Sequence, residues 1–535
     1  MEVRAGRELV VAWPDVGPFD LAPAWAHLLL VSGRREAAVA VCRQTLPLAM
    51  ALRDGVSQLF LEYVLGQAEL ELDRPDEAAS AAERLLRALG TDGHPYWRAK
   101  GLALLAAAEV DRGNIMSALD ALAEALSIVE REPPRRYHHV SACSAVAGVL
   151  VRLLLFEPAA ELTSAAARGA ARGDRAQMLG PSTAVLLVRR LAQTHALWAG
   201  QLELLGEPRQ AAAQHRATMS AALWMGRLAE EARIPSLAGC AVAVAAFATE
   251  RLGEAGLAQA RARAALAGTS RPDAHVEWLP GRLALARAAA LEGDLARARE
   301  LVAEVDRAAI PRHRGMWAGV VQVAAAQVEA LAEDREHGEH PANQLWRDIA
   351  ASGLRRMWQE RETRLADLRH RILRRELAER SARTAAALLI DPLTGLGNRR
   401  RLERELAVSG AGAAVFLDVD NFKRVNDTCG HATGDEVLRR LAAVLRSCSR
   451  STDILIRYGG DEFVVLLADD AAAGAFGRRI LDRVRAQDWR GTTGGMEVTV
   501  SVGVARAETV VSALRRSDQA LRVAKRSGRD LLVEL

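Results

Sequence analysis

Three carboxylates and a pair of glycines are the residues of this sequence best suited to chemistry. Asp461 and Glu462 directly follow Gly459-Gly460 between two short apolar runs, and Asp418 closes a third run. Hard carboxylate oxygens are the ligands that Mg²⁺ prefers, and glycine lets a backbone approach a phosphate closely. A single carboxylate at a turn is ordinarily only a solvated or capping residue. The combination predicts a site for a divalent metal and a phosphate group.

Short apolar runs around these carboxylates predict the strands that position them. The strand candidates are the runs at 413–417, 453–456, 463–467 and 498–504. The second and third run flank the Gly-Gly turn and predict a hairpin. Residues 434–445 have the periodicity of an amphipathic helix. We therefore expect a mixed α/β domain over 390–535, in which adjacent strands bring Asp418 and Asp461 to one point.

Six short strings in this segment carry a resemblance to a known family. They are Asp391-Pro392-Leu393-Thr394-Gly395-Leu396, Phe416-Leu417-Asp418-Val419-Asp420-Asn421-Phe422-Lys423, Asn426-Asp427, Gly430-His431-Ala432-Thr433-Gly434-Asp435, Gly459-Gly460-Asp461-Glu462-Phe463 and Ala524-Lys525-Arg526-Ser527-Gly528-Arg529. In this order, the segment resembles a GGDEF domain. The resemblance implies a ferredoxin-like α/β fold of the nucleotide-cyclase type. It also implies a diguanylate cyclase, which condenses two GTP molecules into cyclic di-GMP and two pyrophosphates.

The resemblance implies a role for each matching residue. Mg²⁺ or Mn²⁺ would be bound by Asp418, Asp461 and the backbone carbonyl of Val419. Catalysis would depend on Asp461, Glu462 and Lys423. GTP would be bound by Phe422, Asn426, Asp435, Lys525 and Arg529, and the backbone amides of the 421–423 loop would cradle its phosphates. An aspartate that accepts from the guanine N1–H and amine discriminates against adenine, which lacks that donor pattern.

The resemblance extends to assembly and regulation. Arg450-Ser451-Thr452-Asp453 matches the family's RxxD site, where the product cyclic di-GMP binds through Arg450 and Asp453 and inhibits the enzyme. Each active site of the family holds one GTP, so a homodimer is implied. The alternative is a catalytically weak GGDEF domain that serves as a nucleotide-binding effector, or an adaptor that acts through the N-terminal region.

A repeated spacing in the first two thirds predicts an all-α array over residues 1–345. A turn residue is followed five positions later by alanine at Gly33/Ala38, Asp73/Ala78, Gly113/Ala118, Gly206/Ala211, Gly253/Ala258 and Gly293/Ala298. Apolar residues three and four apart surround these turns, which predicts paired helices that approach closely at the alanines. The pattern resembles tetratricopeptide repeats, although its period is longer than theirs. A non-repeating helical bundle is the alternative.

For such an array, the sequence implies only a general class of function, which is binding. Stacked helical repeats commonly present a binding surface, so we expect an unknown protein or peptide partner for residues 1–345. A passive scaffold is the alternative.

Residues 346–389 are predicted to form a connecting helix between the two regions. Leu354, Trp358, Leu365, Leu368 and Ile372 fall at spacings of three and four residues. This heptad-like seam predicts a parallel coiled coil. Arginine at 361 interrupts the seam, so a single charged helix that packs on the array is the alternative.

Bulk composition narrows the class of protein. The net charge is only +4 and basic residues are interleaved with acidic ones, so we expect no nucleic-acid partner. The apolar runs are too short to span a bilayer, and no signal peptide is recognisable at the N-terminus. Five scattered cysteines without CxxC spacing favour a reducing compartment. We therefore expect a cytoplasmic location.

Overall fold

The structure, a computed structural model, divides the chain into two compact units, Met1–Arg375 and Glu376–Leu535. The residues that it describes are 21–31, 33–90, 94–131, 137–172, 181–267, 279–309, 341–406, 412–468 and 472–535. The domain limits expected from sequence (1–345, 346–389 and 390–535) stay predictions, because the division between the units falls inside the connecting helix.

All regular structure in the described part of the first unit is helical, as predicted. The helices are α1 (Leu21–Val31), α2 (Arg35–Ala51), α3 (Gly55–Glu71), α4 (Pro75–Leu89), α5 (Pro95–Asp111), α6 (Ile115–Glu130), α7 (Tyr137–Arg152), α8 (Phe156–Ala171), α9 (Pro181–Leu204), α10 (Pro208–Glu231), α11 (Pro235–Arg251), α12 (Ala255–Ala267), α13 (Leu279–Glu292) and α14 (Leu295–Ala309). The connecting helix α15 (Pro341–Ala387) begins in this unit and ends in the second.

The six predicted turns all connect helices, and the alanine after each turn is buried. The turn residue has a positive φ at every one of them, from 62° at Asp73 to 93° at Gly293. The next residue donates its N–H to a carbonyl five residues back, as Asn114 does to Glu109 at 2.8 Å, which closes the preceding helix. Three further turns of this type were not predicted, because Arg53, Leu154 and Arg233, rather than glycine, adopt the left-handed conformation there.

A buried amine lies among aromatic rings of the array. The side chain of Lys100 on α5 is 2% exposed, and its Nζ lies 4.1 Å from the ring centroid of Trp97 and 5.1 Å from that of Tyr63. Burial lowers the pKa of Lys100 to about 7. The favourable interaction of an ammonium with ring faces partly offsets its loss of hydration.

The second unit has the predicted α/β architecture. Its elements are α16 (Arg399–Leu406), β1 (Gly412–Val419), α17 (Phe422–Cys429), α18 (His431–Cys448), β2 (Ile454–Arg457), β3 (Glu462–Leu467), α19 (Ala473–Arg485), α20 (Arg490–Thr493), β4 (Val500–Ala507), α21 (Val510–Arg526) and β5 (Leu532–Glu534). The sheet order is β2-β3-β1-β4-β5, with β1 antiparallel to both neighbours and β5 parallel to β4. The first four strands have the ferredoxin-like order. Helices α16, α17, α19 and α20 and strand β5 were not predicted individually.

Both faces of the sheet are covered by helices, which is why β1 is apolar at every position from 413 to 417. Val415 and Leu417 pack with α18 and α19, whereas Ala414 and Phe416 pack with α16 and α21. Side chains alternate between the faces of a strand. Asp418 therefore points to the face that α21 covers.

Helix α15 confirms the predicted connecting helix, and its apolar seam contacts the array in this structure. Leu368 is 2% exposed within the core of the first unit, and Trp358, Leu365 and Ile372 pack against that core. The side chain of Leu354 lies outside the described part of the structure. The packing matches the alternative of a helix docked on the array, and pairing with a second copy stays a prediction. No described helix is both long and apolar enough to cross a membrane.

Candidate active site

Strand pairing brings the three candidate carboxylates together. Asp418 at the end of β1 lies opposite Glu462 at the start of β3 in the antiparallel register. The N–H of Val419 donates to the carbonyl of Asp461 at 3.2 Å. The hairpin tip thus lies beside the end of β1, as the order of the apolar runs predicted.

The hairpin turn is braced by two residues to which no role was assigned from sequence. Arg457 donates to the carbonyl of Gly460 at 2.7 Å and contacts the carboxylate of Asp391 at 3.2 Å. Burial raises the pKa of Asp391, but hydrogen bonds from Thr394 and the charge of Arg457 outweigh it and hold that pKa below its ordinary value. Asp391 is therefore a charged anchor for Arg457, which holds the turn carrying Asp461.

Lys525 reaches Asp418 from the last turn of α21, with its Nζ 2.6 Å from the carboxylate. The helix lies unusually close to β4 at Gly503, where an added Cβ would be 2.1 Å from the carbonyl oxygen of Ser517. Only glycine permits this approach, which brings the end of α21 over the end of β1. Burial raises the pKa of Asp418 to about 6, and neighbouring Asp461 and Glu462 also raise it, while Lys525 opposes them.

The donor chemistry of this cluster fits a divalent cation. Asp418 is 5% exposed, and burying a carboxylate is costly unless a cation accompanies it. The Lys525 ammonium supplies such a charge here, and hard carboxylates with a backbone carbonyl at Val419 are the ligand types of Mg²⁺ and Mn²⁺. Among the described residues, no three His, Cys, Asp or Glu side chains already converge as a metal site.

The segment expected to form a phosphate-binding loop is the beginning of helix α17. Asn421 has a left-handed backbone (φ 54°) and precedes the first turn, which contains Phe422 and Lys423. The N–H groups of a first helical turn have no partner within the helix, so they remain suited to bind phosphate. Lys423 is exposed there, and no contact joins it to Asp418 in the described structure.

The two predicted guanine-binding residues lie on neighbouring helices. Asn426 is on α17, and Asp435 follows Gly434 in the first turns of α18. A Cβ at Gly434 would lie 1.9 Å from the Oδ1 atom of Asn426, so only glycine allows this approach. That Oδ1 atom is buried and has no hydrogen-bond partner within the described structure. It is an acceptor without a partner next to Gly434, the chain neighbour of Asp435, and an acceptor complements the N–H donors of a guanine edge.

A further acidic residue, Asp420, organises the segment that follows α21. Asp420 is 6% exposed and accepts hydrogen bonds from Ser501 Oγ at 2.7 Å, Thr499 Oγ1 at 2.9 Å and the N–H of Asp530 at 3.0 Å. Arg529, next to the last of these, has a left-handed backbone and is exposed. Asp420 thereby holds the loop of a predicted triphosphate-binding residue. Its position two residues after Asp418 was the only sequence signal for it.

Comparison with known proteins agrees with this geometry. The family model described as "Diguanylate cyclase, GGDEF domain" matches residues 388–531. That stretch contains the three candidate carboxylates, the Gly-Gly turn and Lys525. The chain carries a GGDEF domain. Its GGDEF domain is the second unit, and the signature Gly459-Gly460-Asp461-Glu462-Phe463 forms the hairpin tip.

Two curated relatives of this GGDEF domain are similar to only part of this chain. Diguanylate cyclase DgcP of Pseudomonas aeruginosa is 42% identical over 161 residues, which are 27% of this chain and 23% of that protein. Response regulator PleD of Caulobacter vibrioides is 40% identical over 165 residues, or 27% of this chain and 35% of that protein. The chain thus matches about a quarter to a third of these relatives.

Two solved structures illustrate the same likeness. The coiled coil and GGDEF domain of DgcB from Caulobacter crescentus, in complex with c-di-GMP, is 30% identical and covers 32% of this chain and 98% of that chain, with a TM-score of 0.29. Diguanylate cyclase SiaD of Pseudomonas aeruginosa, in complex with its activator SiaC, is 35% identical. It covers 45% of this chain and 100% of that chain, with a TM-score of 0.25.

The predicted product-binding residues of the GGDEF domain lie at the other end of β2 from the signature hairpin. Asp453 directly precedes β2, and its carboxylate accepts from the N–H of Arg450 at 2.7 Å and of Ala468 at 3.4 Å. The Arg450 side chain is exposed. The structure thus separates this pair from Asp418 and Lys525, and its role in binding product stays a prediction.

Proposed function

We propose that this protein is a diguanylate cyclase that makes cyclic di-GMP and two pyrophosphates from two GTP molecules. In each half of the reaction, the 3′-oxygen of one GTP bonds to the α-phosphorus of the other. The bond from that phosphorus to the bridging oxygen breaks, and pyrophosphate leaves. The observation that carries the proposal is the Lys525–Asp418 contact beside the GGDEF hairpin, because it joins a buried carboxylate, a cation and a glycine turn at one point.

Each residue of the site has a task in this reaction. Asp418, Asp461 and the carbonyl of Val419 would hold Mg²⁺ or Mn²⁺, which supplies positive charge to the triphosphate. The amides that begin α17 bind phosphate oxygens, and Lys423 adds charge from the first turn. Lys525 and Arg529 contact the triphosphate from the end of α21 and the loop after it.

The remaining residues select the base and handle the proton. Asn426 and Asp435 bind the guanine edge, with Phe422 beside them, and the free Oδ1 acceptor of Asn426 supports this assignment. Asp461 accepts the proton of the attacking hydroxyl, with Glu462 as the second carboxylate at the hairpin tip. A base within reach of the hydroxyl is what this reaction needs.

The proposal includes assembly and control. One domain has one triphosphate site, so two chains must face each other, and we propose a homodimer. Product binding at Arg450 and Asp453 would lower the rate. The helical array would bind a protein or peptide partner and regulate the domain. Since the cell supplies GTP in its cytoplasm, we propose that location.

A metal-ligand variant tests the activity. Purified protein with Mg²⁺ and GTP should form cyclic di-GMP, and Asp461→Ala should lower the rate by roughly 100-fold or more, as loss of electrostatic stabilisation does. Asp482→Ala is the matched control, because Asp482 is an exposed carboxylate of α19 in the same unit. GTP binding without turnover by the unaltered protein would instead support a nucleotide-binding effector. Equal rates for Asp461→Ala and the control would refute the assigned site.

A further inference from the structure

The apolar face of α15 is occupied by the array. The Trp358 ring lies 6.2 Å from that of Phe156, at the start of α8. Leu365, Leu368 and Ile372 continue this contact over about four further turns of the helix. The residues that predict a coiled-coil seam are thus the ones that pack on the array.

Charged residues of the same helix are matched by acids of the array. Arg361 is 9% exposed, and it donates to Glu157 on α8 at 2.9 Å while lying over the Trp358 ring. Arg371 contacts Asp120 on α6. Arg375 contacts Glu124, one turn further along α6, at 2.5 Å. The array therefore complements α15 in charge as well as in apolar surface.

This complementarity explains why arginine interrupts the heptad. Residues 358, 361, 365, 368, 372 and 375 follow the alternating spacing of three and four that defines a seam. In a parallel pair of helices, equivalent seam residues face each other. Arg361 and Arg375 would then each oppose their own copy, whereas on the array they face Glu157 and Glu124. The apolar positions suit both partners, and the arginines suit only the array.

We infer that the array and a second copy of this chain compete for one face of α15, so that docking on the array opposes dimerisation through this helix. The inference rests on the proposed function, in which a dimer is the active form. The array acts at the high effective concentration of a linked partner, on the order of millimolar for a flexible connection, so a micromolar second copy competes poorly. A signal that frees α15 from the array then raises cyclase activity.

Reversing two array charges tests the competition without altering α15. Asp120→Arg with Glu157→Arg places like charges against Arg371 and Arg361. Glu124 is left unchanged because it also pairs with Arg98 inside the array. We expect a larger dimer fraction in sedimentation velocity at low micromolar protein, and at least a ~5-fold rise in cyclic di-GMP formation per chain.

Two further variants serve as controls. Glu77→Arg with Glu230→Arg changes the net charge equally at exposed array positions, and it should behave as the unaltered protein. Adding Arg361→Glu and Arg371→Glu to the test variant restores opposite charges at the contact and should return the dimer fraction to that of the unaltered protein. In all of these proteins, seam position 361 still opposes a like charge in the dimer, so only docking changes.

The outcomes are separable from those of the proposed function. If the test variant self-associates no more than the charge control, the competition is refuted. If self-association rises but the rate per chain does not, although the unaltered protein is active, the competition for α15 stands and the regulatory inference is refuted. If self-association rises while no variant makes cyclic di-GMP, the competition for α15 stands and the proposed activity fails.

Discussion

Replacing Asp420 with alanine should weaken GTP binding through the loop that carries Arg529. The Asp420 carboxylate joins three separate parts of the domain: Thr499, Ser501 and the backbone of Asp530. It is not among the proposed metal or guanine ligands. Its loss should therefore act through the position of the loop and not through a direct contact with substrate.

The size of the effect follows from the bonds that are lost. A hydrogen bond to a charged group contributes about 1.5–3 kcal/mol net. If the Asp530 bond orders the loop before GTP arrives, binding must supply that free energy in the variant, which corresponds to a roughly 10- to 100-fold rise in KM. Ser501 is fully buried, so its hydroxyl also loses its acceptor. We expect the free energy of unfolding to fall by about 3 kcal/mol in total.

Initial rates against GTP concentration, together with thermal unfolding, separate positioning from simple loss of fold. A structural role alone would lower kcat per total protein, in proportion to the unfolded fraction, at constant KM. Asp420→Asn keeps the shape and one oxygen acceptor, so it should recover part of both the stability and the KM. A folded Asp420→Ala variant with unchanged KM would show that the loop is held by other contacts.

Three further predictions concern feedback, pairing and the array. Arg450→Ala should keep the initial rate but lose the slowing of progress curves by added cyclic di-GMP, and equal inhibition in both proteins would contradict the product site. Residues 390–535 alone should turn over GTP weakly when dilute, and the rate should recover when they are fused to an unrelated parallel coiled coil. Equal activity per chain of residues 390–535 at all dilutions would contradict a need for pairing. Lys100→Met should stabilise the first unit at pH 7, by up to roughly 5 kcal/mol if the pKa falls from 10.5 to about 7. Above pH 7 the Lys100 amine keeps its proton in the unfolded state but loses it in the folded state, so the unaltered unit should gain stability from pH 7 to 9. Denaturation midpoints should show a smaller gain in the variant.

Much of the fold could be predicted because its rules are local. The turns at Gly33, Gly113 and the related positions can be recognised from residue types alone. Each has a residue that tolerates positive φ, and an alanine that is buried follows five positions later. Leu154 was missed because a leucine carries no such signal. Alternating or continuous apolar runs likewise predicted β1 and the hairpin, and Asp461 at its tip. Helix α17 was missed because its eight residues are too few for periodicity to be recognised.

The sequence by itself determined which residues carry chemistry and which helix faces are apolar, because residue type and local spacing suffice for both. Only the tertiary structure decided which side chains contact these residues and which surface covers these helix faces. Lys525 reaches Asp418 because α21 packs closely on Gly503, and Asp420 gains its partners from segments far along the chain. The seam of α15 packs on α6 and α8 because acidic residues there complement its arginines. Heptad spacing encodes a buried face, whereas the partner that buries it depends on the surface and charge of distant segments.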